Sequence, residues 1–174
     1  MRTQNNVLPE DILIPYFGKD SALVGIEVGV STAVGSLGML WRMPNLKLYC
    51  IDPWEHRDLE PYEANLAQEV HDGAYAEALN RLSPYTDRVV VLRNRSDDAV
   101  DLTPEQVDFI FIDGHHEYSQ VVKDIKNYAP KVRKGGLICG HDYGQVPDVT
   151  RAVQEVYPIN DIKTGEDFIW WVVS

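Results

Sequence analysis

Four apolar runs in this chain stop abruptly at a glycine or an acid. They are "ALVGIEVG" (22–29), "KLYCID" (47–52), "VDFIFID" (107–113) and "GGLICGHDY" (135–143). Each has the length and β-branched content of a buried strand, and stretches with helical spacing lie between them. Strand–helix alternation of this kind folds into an α/β layer structure with a mostly parallel sheet and helices on both faces. In such sheets, ligands bind beyond the carboxyl ends of the strands. Those ends carry Glu27–Gly29, Asp52, Asp113–His116 and His141–Asp142, so residues distant in sequence are expected on one rim.

The rest of the chain fits that rhythm. Residues 31–43 read as a helix, with Ser31 or Thr32 as its cap. Residues 62–85 read as mostly helical, with a break near Asp72–Gly73, and 88–94 as a third strand. Residues 96–102 make a short helix. Residues 117–134 make an amphipathic one, with Val121, Ile125, Tyr128 and Val132 on one face and an interruption at Pro130. Gly135–Gly136 is expected to stop that helix before the fifth strand. A helix over 146–157 has Pro147 near its start. The close, 159–174, reads as two strands turning at Thr164–Gly165, and with no crossover helix between them they must be antiparallel. Trp170 and Trp171 are expected in the core or at an interface. The fold expected is therefore a Rossmann-like, doubly wound, seven-stranded sheet, mostly parallel, with an antiparallel pair at its C-terminal end.

Bulk properties narrow the function. With 174 residues and 44% hydrophobic content the chain suits one domain, 1–174. A formal charge of −11 repels phosphate backbones, which argues against nucleic acid. No apolar stretch is long enough to span a bilayer, and acids and prolines interrupt the first twenty residues, so no membrane association, no signal peptide and a cytoplasmic location are expected. Cys50 and Cys139, each in an apolar run, read as buried free thiols.

Taken in order, "IEVGVSTAVG", "YCIDPW" and "FIFIDGHHEYSQVVKDIKNYAPKVRKGGLICGHDYG" resemble the motifs of class I S-adenosylmethionine-dependent methyltransferases, over roughly residues 20–174. The likeness is greatest to small-molecule O-methyltransferases of the catechol and macrolide-sugar type. It implies S-adenosylmethionine as cofactor and a small-molecule acceptor. Gly29 would let the backbone approach the cofactor, and Glu27 would help organise its cationic methionine end. The resemblance puts Asp52 on the ribose hydroxyls, where a carboxylate can accept two hydrogen bonds from a diol. It puts Ser96 and Asp97 at the adenine and Asp113 at the cofactor's edge, and Trp54 is a candidate to stack on the base. Where the family has a second glycine and then a small hydroxyl residue, this chain has Ala33 and Gly35.

For the chemistry, the resemblance assigns a divalent ion, Mg²⁺ or Mn²⁺, to Asp113 with His141 and Asp142. Histidine at 141 shifts the expected preference from Mg²⁺ toward Mn²⁺, Fe²⁺, Co²⁺ or Zn²⁺. His116, three residues after Asp113, stands where relatives carry a general base, and near its ordinary pKa it could take a proton at neutral pH. His115 is the less favoured base, with a solvent-facing or capping role as its plainer reading. The loop 53–62, with Trp54, His56 and Tyr62, is a candidate lid. The chain carries little beyond the bare fold, so a homodimer could supply a missing pocket wall. Three rival readings remain: a non-catalytic cofactor-binding domain, a nicotinamide-dependent oxidoreductase that "GVSTAVG" fits poorly, and a metal-dependent hydrolase or oxygenase.

Overall fold

In the computed structural model, which describes residues 9–58 and 66–174, the apolar runs become strands. β1 spans Leu23–Val28, β2 Leu46–Ile51, β3 Val89–Leu92, β4 Val107–Ile112 and β5 Val132–Gly140; β6 (Lys163–Thr164) and β7 (Trp170–Val173) close the chain. Between them lie α2 (Val34–Arg42), α3 (Gln68–Leu82), α4 (Ser96–Ala99), α5 (Tyr118–Tyr128) and α6 (Pro147–Val156), preceded by α1 (Glu10–Phe17). The sheet order is β3-β2-β1-β4-β5-β7-β6. All neighbours are parallel except β5–β7 and β6–β7. No described helix is long and apolar enough to cross a membrane.

Side-chain alternation along the strands builds two cores. Leu48, Cys50, Phe109, Phe111, Leu137 and Cys139 face one way, onto α1, α2 and α3. Ile26, Val28, Ile110, Ile112, Ile138 and Val172 face the other way, onto α5 and α6. A strand buried on both faces reads as an unbroken apolar run, which is why these strands stood out in the sequence. Cys50 and Cys139 are buried free thiols, and Trp170 is core at 1% exposure.

Several boundaries differ from the sequence reading. Helix α1 was not anticipated. Helix α2 starts at Val34, later than expected. Neither Ser31 nor Thr32 caps it: Ala33 precedes it at φ 60° with no side-chain cap, and Ser31 is itself left-handed at φ 50°. Helix α3 begins at Gln68 and continues through Asp72–Gly73, because Gly73 is tolerated mid-helix at a modest cost; residues 62–65 lie outside the described residues. Helix α5 gives way at Pro130 to a single 3-10 turn, and β5 begins at Val132, so Gly135–Gly136 falls inside the strand and Val132 belongs to the sheet. The first strand of the closing pair is only Lys163–Thr164.

The strand order reverses between β1 and β4, where a crevice opens. Backbone hydrogen bonds continue beyond the strands there. Asp113 N donates to Val28 O (2.8 Å), His141 N to Ile112 O (3.2 Å), Gly29 N to Ile51 O (2.9 Å) and Asp52 N to Leu92 O (3.2 Å). These bonds tie four strand ends into one rim.

Gly29 is the tightest point of that rim. Its φ is 90°, and a Cβ there would lie 2.1 Å from the Asp113 carbonyl oxygen, a backbone atom that cannot step aside. Gly29→Ala should therefore cost at least about 3 kcal/mol. For a domain of this size that lowers the melting temperature by about 6–12 °C. An unchanged melting temperature would mean that β1 and β4 do not meet this closely.

Candidate functional site

The crevice is a cavity of about 490 Å³. Gly29 and Ser31 after β1, Asp52 and Trp54 after β2, Ser96 and Asp97 at the start of α4, and Asp113–His116 after β4 all contribute to its wall. The sheet thus brings together five of the sequence-derived cofactor positions. The sixth, Glu27, lies behind the wall at 3% exposure. There it accepts a hydrogen bond from the Ser36 hydroxyl on α2, and the Cys50 thiol lies 3.9 Å from its Oε2. Burial pushes its pKa up to about 8. Glu27 therefore carries a proton at neutral pH and braces the loop from below. Gly35 sits directly over it: a Cβ there would come 2.8 Å from Glu27 Oε1, so the glycine that replaces the expected hydroxyl makes room for this carboxyl.

Asp52 organises the loop before it can meet a ligand. Its Oδ2 accepts from Val30 N (2.9 Å) and Ser31 N (2.8 Å), and its Oδ1 accepts from Trp54 N (2.8 Å). A carboxylate has about four lone-pair positions, so one is left for an incoming hydroxyl, where the sequence reading expected two. Trp54 also differs from expectation. It is 1% exposed, its Nε1–H donates to Ser31 O (2.8 Å), and its ring packs against Tyr75 with centroids 4.8 Å apart. It pins the loop from inside, at the cavity wall, with Tyr75 against its ring. In the candidate lid, Glu55 and Arg57 reach the cavity wall, whereas Tyr62 lies outside the described residues.

At the α4 end, Ser96 Oγ donates to Asp124 Oδ1 (2.6 Å). Gln120 Nε2 donates to the same carboxylate (3.0 Å) and lies 3.5 Å from Asp97 Oδ1. Asp124 lines the cavity at 1% exposure, and burial lifts its pKa to about 6. The sequence reading missed it. Its signal was an acid three residues after Val121 and beside Ile125, on the buried face of an amphipathic helix.

The opposite end holds the titratable cluster. One ligand atom each from Asp113, His141 and Asp142 lies within 4.8 Å of the others. His116 sits between the acids, its Nε2 3.0 Å from Asp142 Oδ2 and 3.8 Å from Asp113 Oδ1. Hydrogen bonds to Asp113 and to Asp142 raise its pKa to about 9. His116 is therefore an imidazolium at neutral pH, where the sequence reading had it near its ordinary value. Asp142, at φ 65°, is held well below the usual carboxylate range by hydrogen bonds from His116 and His141, and His141 is raised by its bond to Asp142. His115, expected at the solvent-facing helix start, has a side chain only 13% exposed and lines the cavity; burial lowers its pKa. The donor set suits a divalent ion in charge as well as proximity: a cation there would take over the two carboxylates that the His116 imidazolium otherwise neutralises.

Residues 24–143 match a family described as Methyltransferase domain. The chain is 30% identical over 159 residues to the uncharacterized protein R132 of Acanthamoeba polyphaga mimivirus, covering 86% of this chain and 65% of that protein; it thus spans about two thirds of the length of the curated relative it matches. Among solved structures, a Staphylococcus aureus protein provisionally described as a caffeoyl-CoA O-methyltransferase superposes with a TM-score of 0.69 at 13% identity, over 99% of this chain and 86% of that one. The O-methyltransferase NovP superposes with a TM-score of 0.63 at 19% identity, over 94% and 75%. Identities this low speak for a shared fold.

Proposed function

Because the chain belongs to the methyltransferase domain family, we propose that it methylates a hydroxyl oxygen of a small molecule with S-adenosylmethionine as donor and a divalent cation as helper. The observation that carries this reading is the division of one cavity. Its β1–β2–α4 side offers Gly29, Asp52, Ser96 and Asp97, and its β4–β5 side offers Asp113 and His116, with His141 and Asp142 beside them. The first side suits a nucleoside with a cationic side chain; the second suits an oxygen nucleophile that must lose a proton. The chain's net charge of −11 favours a small acceptor over a polyanionic one.

The cofactor supplies a methyl group already activated on a sulfonium, and transfer breaks the S–C bond as the acceptor oxygen forms the new O–C bond. The protein's part is to hold the two centres in line and to receive the hydroxyl proton. Asp52 would bind a ribose hydroxyl with its remaining lone pair, and Ser96 and Asp97 would meet the adenine. Asp113, His141 and Asp142 would hold the cation, whose positive charge lowers the pKa of a bound hydroxyl. With Asp113 and Asp142 committed to the cation, His116 would lose the partners that hold its proton, and its neutral imidazole would accept the acceptor's proton on Nε2. Imidazole in the donor set favours Mn²⁺ over Mg²⁺.

Thermal stabilisation by S-adenosylmethionine, S-adenosylhomocysteine and NAD, each with Mn²⁺, Mg²⁺ or EDTA, tests the cofactor half. Both adenosyl ligands should stabilise the protein even in EDTA, by about 3 kcal/mol at a hundredfold excess over Kd. No shift with either one at millimolar concentration would sink the methyltransferase reading, and a shift with NAD alone would replace it with an oxidoreductase.

A further inference from the structure

We infer that Asp167, on the turn between β6 and β7, is a positioning residue that orients the His141 imidazole toward the cation site. This rests on the metal-assisted reading above and names a residue which that reading does not use. His141 has a carboxylate on each side. Its Nδ1 lies 3.2 Å from Asp142 Oδ1, and its Nε2 lies 3.9 Å from Asp167 Oδ2. The ring is 24% exposed and Asp167 26%, so both are half-buried. With Nε2 toward Asp167, the nitrogen beside Asp142 is Nδ1, the one able to share a cation with the carboxylates. A ligating histidine needs its second nitrogen to keep the proton, and a carboxylate partner fixes that tautomer and ring angle. The 3.9 Å gap is longer than a hydrogen bond, so the two side chains face each other as an ion pair.

The chain goes to some length to put a carboxylate there. Asp167 and Phe168 are consecutive left-handed residues, at φ 55° and 59°, a conformation that non-glycine residues adopt rarely. The turn is tied down at both ends: Gly165 N donates to Ile169 O (3.0 Å), and Tyr143 N, from the segment that carries His141 and Asp142, donates to Phe168 O (3.0 Å). The last bond fixes the Asp167 turn to the His141–Asp142 segment itself. Since β7 pairs with β5 from Gly140↔Trp170 onward, the antiparallel reversal delivers Asp167 to the strand end it serves.

The test compares wild type, Asp167→Asn and Asp167→Gly. Both variants suit a left-handed backbone; the first keeps an acceptor oxygen without the charge, the second keeps neither. Mn²⁺ affinity is measured by calorimetry, the ¹⁴N coupling of bound Mn²⁺ by pulsed electron paramagnetic resonance, and the His141 tautomer by ¹⁵N NMR of the metal-free protein. Asp167→Gly should weaken Mn²⁺ binding about 10- to 100-fold with loss of the nitrogen coupling, and Asp167→Asn should recover part of both. S-adenosylhomocysteine affinity should stay unchanged. Equal Mn²⁺ affinity and equal nitrogen coupling in wild type and Asp167→Gly would overturn the inference. If wild type binds no Mn²⁺, the metal-assisted reading fails. The ¹⁵N spectra then decide the Asp167 contact by themselves: with Nδ1 held by Asp142, a change at the Nε2 signal in Asp167→Gly upholds the orienting role, and an unchanged ring overturns it.

Discussion

Replacing His116 with glutamine should lower methyl-transfer turnover by about 10²–10⁴-fold, the range for loss of a positioned general base. Glutamine is the informative choice because its amide can still donate to Asp113 and Asp142, the acids that flank His116 at 3.8 and 3.0 Å. The two carboxylates therefore keep a hydrogen-bond partner, and the defect falls on proton removal. Alanine would also leave the acids facing each other without the imidazolium between them, so its effect mixes chemistry with local repulsion. The cofactor half of the cavity stands apart on the β1, β2 and α4 ends, so S-adenosylhomocysteine affinity should be unchanged in His116→Gln. A loss of less than tenfold in turnover would remove His116 from the base role. A collapse of cofactor affinity would make it a structural residue of the rim instead. His115 is the comparison: it lines the same wall half-buried, with its pKa lowered by burial, and His115→Gln should cost turnover far less.

The second large effect concerns stability. Burial raises Glu27 to about 8 from an ordinary 4.5. The folded protein therefore keeps a proton that the unfolded chain has already released between those two values. Unfolding in that interval sheds a proton, so the contribution is fully present below about pH 4.5 and is lost as pH rises through 8. Glu27→Gln mimics the protonated acid, still accepts from Ser36, and cannot ionise. The two proteins should be equally stable near pH 4.5, and the variant should be the more stable by roughly 2–4 kcal/mol above pH 8. Chemical denaturation at several pH values gives the difference, in which Asp124 and the histidines cancel. Parallel curves for the two proteins from pH 5 to 8.5 would mean that the carboxyl is not buried under the loop.

The central strands were legible in the sequence because burial on both faces leaves no polar interruption. The ends of "VDFIFID" and "KLYCID" showed where the runs stop, and the parallel order then brings those ends together. The Asp113, His141 and Asp142 cluster follows from that order, since β4 and β5 are neighbours. What stayed hidden depends on conformations that residue type does not announce. Ser31, Ala33 and Trp54 are left-handed without being glycine, so neither the late start of α2 nor the inward turn of Trp54 shows as a motif. The pKa values of His116 and Glu27 depend on their surroundings on every side, which one strand's sequence cannot supply. Asp124 enters the cavity only through the packing of α5, and Asp167 only through the antiparallel return of β7.

The rim bonds that extend the sheet ladder past Val28, Ile51, Ile112 and Gly140 have a thermodynamic consequence. Gly29, Asp52, Asp113 and His141 are secured by the same cooperative unit that contains both cores. The site has no melting step of its own, and these backbones separate only when the central strands do. Ligands therefore meet a floor whose ordering entropy was settled at folding. Differences in ligand shape fall instead to side chains and to residues such as Glu55 and Arg57, which line the wall outside that ladder.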